Sequence, residues 1–364
     1  MGTQSLPTKK WSSSENFSLQ DGESLPGLEI AYETWGELSA EGDNVVVVLH
    51  ALSGSSHAFS STENPDPGWW EELYGEDAPL RKGGFHVICA NIIGSCYGTT
   101  GPASINPITE TPYATGFPQV TLRDMIEAQR LLLKELGIDK PVTLLGGSMG
   151  GMLILEWMSQ YPGEISQAIC LATPPRSEGF TIALRSVQRD AILSDPNYSK
   201  GLYDEENFPG AGLSLARKIG MITYRSPGEF NDRFGREVKD PRSHFLQGCY
   251  EVQSYLEHQG NKFVARFDPN TYLYFSRAMD LFDIAAGHES VAAAFRECST
   301  RVLLLSIDSD FLVPTTHMAE LSEALIEAGL EVDLQLMESR YGHDAFLLET
   351  GQINRHIENF LQVD

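Results

Sequence analysis

Basic side chains are scarce in this 364-residue chain: 26 Lys and Arg stand against 50 Asp and Glu, a formal net charge of −24. A field of that sign repels nucleic acid and anionic membrane surfaces, and no Lys/Arg cluster offsets it locally, so neither is expected as a partner. Cysteine is sparse too. Cys89, Cys96, Cys170, Cys249 and Cys298 are odd in number and far apart, with neither metal-ligand spacing nor the density of a disulfide scaffold. No metal site is expected, and a reducing compartment is the simpler setting. No stretch approaches the roughly 18 apolar residues of a membrane span. The N-terminus, MGTQSLPTKKWSSSENFSL, lacks the apolar segment of a signal peptide. Leu6 stands where a myristoylation signal beginning Met1-Gly2 needs Ser or Thr. A soluble, cytoplasmic protein is the expectation. Internal repeats and low-complexity tracts are absent as well. What remains is ordinary globular composition, long enough for one large domain or two smaller ones.

From about Pro26 to Thr173, strand-like and helix-like segments alternate. VVVVLH (45–50) and FHVICANII (85–93) are β-branched, continuously apolar runs of the kind buried on both faces of a parallel sheet. Thr121 and Asp124 form a capping-box pair ahead of an apolar helical pattern that stops at Gly137. VTLLGG (142–147) follows as strand, MLILEWMSQY (152–161) as helix and ISQAICLAT (165–173) as strand. The rhythm breaks from about Pro175 to Glu297, where the segments read as helices without a buried strand. It resumes with RVLLLSIDS (301–309), a helix around 318–329, VDLQLME (332–338) and a terminal helix. Alternation of this kind predicts a mostly parallel sheet with helices on both faces. The expected division is a core of 20–174 and 298–364 with a helical cap of 175–297 inserted.

The chemistry concentrates at Gly146-Gly147-Ser148-Met149-Gly150. G-x-S-x-G between a strand and a helix is the pattern of a nucleophile elbow, in which a serine sits on a strained turn that small neighbours permit. The helix N-terminus behind it offers positive potential and free N–H groups to a developing oxyanion. A serine nucleophile needs a base and a carboxylate to orient that base, and in this fold they follow in the order Ser, acid, His. Three histidines follow the cap. His343, in ESRYGHDAF, falls in a loop after a strand, whereas His317 and His356 lie in helices and read as surface or packing residues. Asp308 and Asp310 both follow RVLLLSI; Asp310 stands clear of the strand and is the chosen acid. Leu52, after VVVVLH, is the expected second oxyanion donor beside Met149. His50 closes a buried strand and reads as structural.

At these motifs the sequence resembles the homoserine O-acetyltransferase family over nearly its whole length. The resemblance is carried by LHALSG (49–54), PGWW (67–70), YGTTGPASINP (97–107), GGSMGGM (146–152), AILSDP (191–196), GLSLARKIG (212–220), YLEHQGNKFVARFDPNTYLY (255–274) and YGHDAF (341–346). It implies the α/β-hydrolase fold and a Ser148–Asp310–His343 triad. It further implies that Arg217 holds the homoserine carboxylate and that Asp344 helps hold its ammonium. Acetyl-CoA is then the donor substrate, with no permanently bound cofactor, and a homodimer through the cap is implied. The sequence departs from the family's usual pattern at Ser95 in Gly94-Ser95-Cys96, at Leu184, Arg185 and Ser186, and at Met221. Those departures leave serine as an alternative acceptor and succinyl-CoA as an alternative donor. Met149 and Leu312 are similar to the acetyl users, the succinyl users having Leu and Arg there. An ordinary carboxylesterase is the reading from a different class.

Overall fold

Eight strands form one twisted sheet in the computed structural model, which describes residues 9–239 and 250–363. Cys249 and the Met1-Gly2 terminus lie outside those residues. In chain order the strands are β1 (Lys9–Ser12), β2 (Glu29–Trp35), β3 (Val45–Leu49), β4 (His86–Ala90), β5 (Val142–Gly147), β6 (Ile165–Leu171), β7 (Arg301–Ile307) and β8 (Val332–Met337). They lie side by side as β1-β2-β4-β3-β5-β6-β7-β8. β1 and β2 run antiparallel and the other six are mutually parallel. Every residue of β3 and β5 is buried, as expected of central strands covered on both faces. Each such Val or Leu contributes roughly 1.5–3 kcal/mol by leaving water.

Among the described residues the helices of eight or more residues are α1 (Leu122–Glu135), α2 (Met149–Gln160), α3 (Gly179–Leu193), α4 (Gly210–Tyr224), α5 (Pro227–Phe234), α6 (Glu251–Val264), α7 (Pro269–Asp280), α8 (Thr315–Glu327) and α9 (Thr350–Leu361). The capping box forms as read: Thr121 Oγ1 accepts from the Asp124 N–H at 3.3 Å, and Asp124 Oδ2 accepts from the Thr121 N–H at 2.7 Å. Helices pack on both faces, giving one apolar cluster around α1, α2 and α8 and another around α9, Trp70 and Phe346.

Between β6 and β7 the described residues add five helices and no strand to the sheet. α3, α4, α6 and α7 share a third apolar cluster that includes Ile192, Leu213, Phe263 and Tyr272. Two details depart from the division drawn from sequence. The sheet begins before residue 20, because β1 pairs with β2 from Lys9. The cap's last part, from Phe275 through Phe295, packs into the core of the sheet domain. α7 is apolar on two faces, so it serves both layers.

Candidate active site

Ser148 lies between β5 and α2 with φ 54° and ψ −119°, a left-handed conformation that costs a non-glycine residue energy. The elbow is possible because the residues two positions either side of the serine have no side chain. A Cβ on Gly146 would meet the Leu49 carbonyl oxygen at 2.9 Å, and one on Gly150 would meet it at 2.0 Å. The turn therefore folds directly onto the end of β3, beside Leu52. Ser148 and Leu52 line one cavity of about 140 Å³, and Met149 begins the first turn of α2 behind the serine.

His343 arrives from a short helical turn after β8, and Asp310 from the loop after β7. Ser148 Oγ is 2.9 Å from His343 Nε2, and His343 Nδ1 is 2.6 Å from Asp310 Oδ2. Asp310 is itself fixed: its Oδ1 accepts from the backbone N–H of Leu312 at 2.8 Å and of Val313 at 3.0 Å. Its neighbour Asp308 faces solvent and caps the Ser339 N–H instead. Burial alone would lower the His343 pKa, but the charges of Asp310 and Asp344 and the hydrogen bond to Asp310 outweigh it and raise it above the ordinary value. The ring of Phe346 stands edge-on to the imidazole at 5.5 Å. Trp70, from the PGWW segment, donates its indole N–H to the Phe346 carbonyl at 2.9 Å.

His50 is fully buried, with Nδ1 against the Ala51 carbonyl at 2.9 Å and Nε2 accepting from the Ile92 N–H at 3.1 Å. Burial pushes its pKa down to about 4, so it stays neutral and fully engaged. Burial pushes the Cys96 thiol up to about 12, which disfavours the thiolate a nucleophile needs. His356 lies in α9, while His317, read from sequence as surface or packing, stands in the cavity wall with Nδ1 unpartnered among the described residues.

Arg217 and Asp344 line the same cavity as Ser148. The Arg217 guanidinium stacks 4.9 Å over the Phe263 ring, and its Nε has no hydrogen-bond partner among the described residues. A buried, unpaired N–H is costly unless a ligand meets it. Asp344 is paired with a residue the sequence did not single out: Arg225 Nε donates to its Oδ2 at 2.9 Å. Of the residues marking departures, Leu184 and Arg185 reach the cavity. Arg185 is tied to Asp280 at 2.6 Å and to Ser177 Oγ at 2.7 Å. Met221 is buried in the cap. No group of three or more potential metal ligands occurs among the described residues.

A strained serine at a strand–helix turn, an imidazole and a buried carboxylate stand in hydrogen-bonded series at the strand ends of what is an enzyme of the α/β-hydrolase fold. The description "alpha/beta hydrolase fold" matches residues 44–350. In sequence, the homoserine O-acetyltransferase of Moorella thermoacetica is 44% identical over 98% of this chain and 96% of its own length. That of Pelobacter propionicus is 43% identical over 96% and 94%. Among solved structures, homoserine O-acetyltransferase from Bacillus anthracis superposes with a TM-score of 0.89 at 26% identity, covering 98% of each chain. Esterase E22 superposes with a TM-score of 0.88, also at 26% identity, covering 97% of this chain and 99% of its own. The chain belongs to the homoserine O-acetyltransferase family.

Proposed function

We propose that the protein transfers an acetyl group from acetyl-CoA to the hydroxyl of L-homoserine through an acetyl-Ser148 intermediate. The observation that carries this reading is the convergence, in one cavity, of the Ser148–His343–Asp310 series with Arg217 and Asp344. An arginine fork suits a carboxylate and an aspartate suits an ammonium. A carboxylate and an ammonium are what the α-carbon of a free amino acid offers, at the end of homoserine away from its reacting hydroxyl.

In the first half, His343 Nε2 takes the Ser148 hydroxyl proton as Oγ attacks the thioester carbonyl. The Leu52 and Met149 N–H groups receive the oxyanion. The C–S bond breaks and the thiolate leaves with the proton from His343. In the second half, the homoserine hydroxyl gives its proton to His343 as its oxygen attacks the acetyl carbon. The Ser148 ester bond breaks, Ser148 recovers the proton, and O-acetyl-L-homoserine leaves. Asp310 orients the imidazole and stabilises its charged form throughout. Such a product serves methionine biosynthesis in the cytoplasm.

Leu312, in the cavity wall, supports acetyl over succinyl, since it offers a donor-chain carboxylate no charge. Exposed Val187 and Leu193 on α3 and Leu215 and Ile222 on α4 support a homodimer through the cap. The close structural similarity to esterase E22 favours simple ester hydrolysis as the second reading. One substrate panel separates them: acetyl- and succinyl-CoA, each alone and with L-homoserine or L-serine, followed by thiol release and intact mass. Acetyl-CoA alone should give a stoichiometric thiol burst and an acetyl adduct on Ser148, absent in Ser148→Ala, and L-homoserine should restore turnover. Thiol release only when both substrates are present would refute the acyl-serine route. Steady hydrolysis indifferent to homoserine would favour the esterase.

A further inference from the structure

Arg225 is the first residue beyond α4, in extended conformation, and only 12% of its side chain is exposed. It joins three acidic and basic neighbours into a row. Arg233 lies 3.4 Å from Glu229, Glu229 lies 3.5 Å from Arg225, and Arg225 lies 2.9 Å from Asp344 beside the catalytic histidine. The row runs from the surface, where Arg233 is half-exposed, to the wall of the cavity. Among the described residues no other hydrogen bond reaches the Asp344 carboxylate, so its Oδ1 is left to a ligand.

The backbone on which both partners ride is locked. Gly342 adopts φ 64°, and a Cβ there would lie 2.7 Å from the Ser226 nitrogen and 2.9 Å from the Arg225 carbonyl carbon. The Ser226 hydroxyl donates to the Arg340 carbonyl across the same seam. The segment 224–226 therefore lies flush against 340–342. Arg225 is thereby aimed at Asp344 by the backbone itself.

We propose that Arg225 is a positioning residue for the acceptor: its ion pair holds the Asp344 carboxylate at the cavity wall for the acceptor's ammonium. The inference rests on the reading of Asp344 as the ammonium partner. It separates the two halves of the reaction, because the thioester donor has no ammonium to place and Arg225 does not touch the triad. The groups facing Asp344 are Arg225 and Arg217 from α4 and its end, Tyr224 beside them, and His343 from its own loop, with Glu229 of α5 behind Arg225. Burial pushes the Asp344 carboxyl up, and the Arg225 charge is the leading influence holding it down. Without Arg225 the carboxyl takes up a proton more readily as pH falls, and its pull on the ammonium goes with it.

The test uses the full-length protein with Arg225→Gln, Arg225→Lys and Asp344→Asn, all checked by thermal unfolding. Arg225→Gln should raise the KM for homoserine about tenfold near neutral pH, the size of one pKa unit, with the rise growing as pH falls. The thiol burst from acetyl-CoA alone, measured on the pH plateau of the wild-type burst, should stay within about twofold of wild type. Arg225→Lys should recover most of the loss, since it keeps the charge. If Arg225→Gln does not fold, Arg225→Lys and Glu229→Gln are judged by the same acceptor KM and burst. A burst that falls in step with homoserine use, or a KM rise equal at every pH, overturns the positioning role. If Asp344→Asn raises the homoserine KM and Arg225→Gln does not, the inference alone fails. If Asp344→Asn leaves that KM unchanged, the reading of Asp344 fails and the inference with it.

Discussion

His343 can act as a base only while its ring is neutral, and the carboxylates around it hold on to the proton. For the proposed reaction, the raised pKa of this imidazole should put the acid limb of kcat/KM for acetyl-CoA above the ordinary imidazole value of 6.5. Activity should therefore be lost as pH falls through a point on the alkaline side of 6.5. Asp344→Asn, which removes one of the two charges responsible, should move that limb downward. A profile of thiol release against pH decides it, and a limb below the ordinary value would contradict the electrostatics. Ser148, Asp310 and His343 were readable in the sequence because each carries a local signature: an elbow motif, a post-strand acid, a post-strand histidine. Arg225 carried none. It reads as a cation near a helix end, and its partner lies 119 residues away. His317 misleads for a similar reason, since its place in α8 does not tell which face turns toward the cavity.

At the scale of elements, the site depends on four strand ends meeting at one edge of the sheet. β5 delivers Ser148, β3 leads into Leu52, and β7 and β8 deliver Asp310 and His343. The closest of these approaches is Gly150 against the Leu49 carbonyl, so a side chain at this position must push two backbones apart. Gly150→Ala should cost at least about 3 kcal/mol, the upper part of the range for overpacking, because backbone cannot turn aside as a side chain can. Gly163→Ala is the control, having nothing within 4 Å of the added carbon. Thermal unfolding should show Gly150→Ala lowered by several degrees and Gly163→Ala near wild type. Equal midpoints would mean the elbow is not held against β3. The central strands and the helices flanking them were legible because their apolar runs are long and their caps explicit. β1 was not: Lys9–Ser12 is mostly exposed and gains its place only by pairing with β2.

The whole molecule carries its acidity across a core and cap that share the active-site cavity between them. The cavity's walls come from both layers, which is why the domain division drawn from sequence blurs at α7. A net charge of −24 is a collective quantity that no single element reveals, and it opposes the compact state by self-repulsion. Against it stand ion pairs that are often exposed on both sides, such as Lys10–Glu29 and Arg296–Glu289. Pairs of that kind contribute at most about 1 kcal/mol each. Salt weakens both contributions, so the sign of its effect tells which is larger. Raising sodium chloride from about 0.01 M to about 0.2 M shortens the screening length from roughly 30 Å to under about 10 Å. Repulsion acts over the longer distances and should be lost first. The unfolding midpoint should therefore rise with salt, by about 2 °C or less for each kcal/mol gained in a chain of this size. Calorimetry or fluorescence melting across that range gives the answer. A midpoint that falls would mean the short ion pairs, including the Arg225 row, dominate the molecule's electrostatic balance.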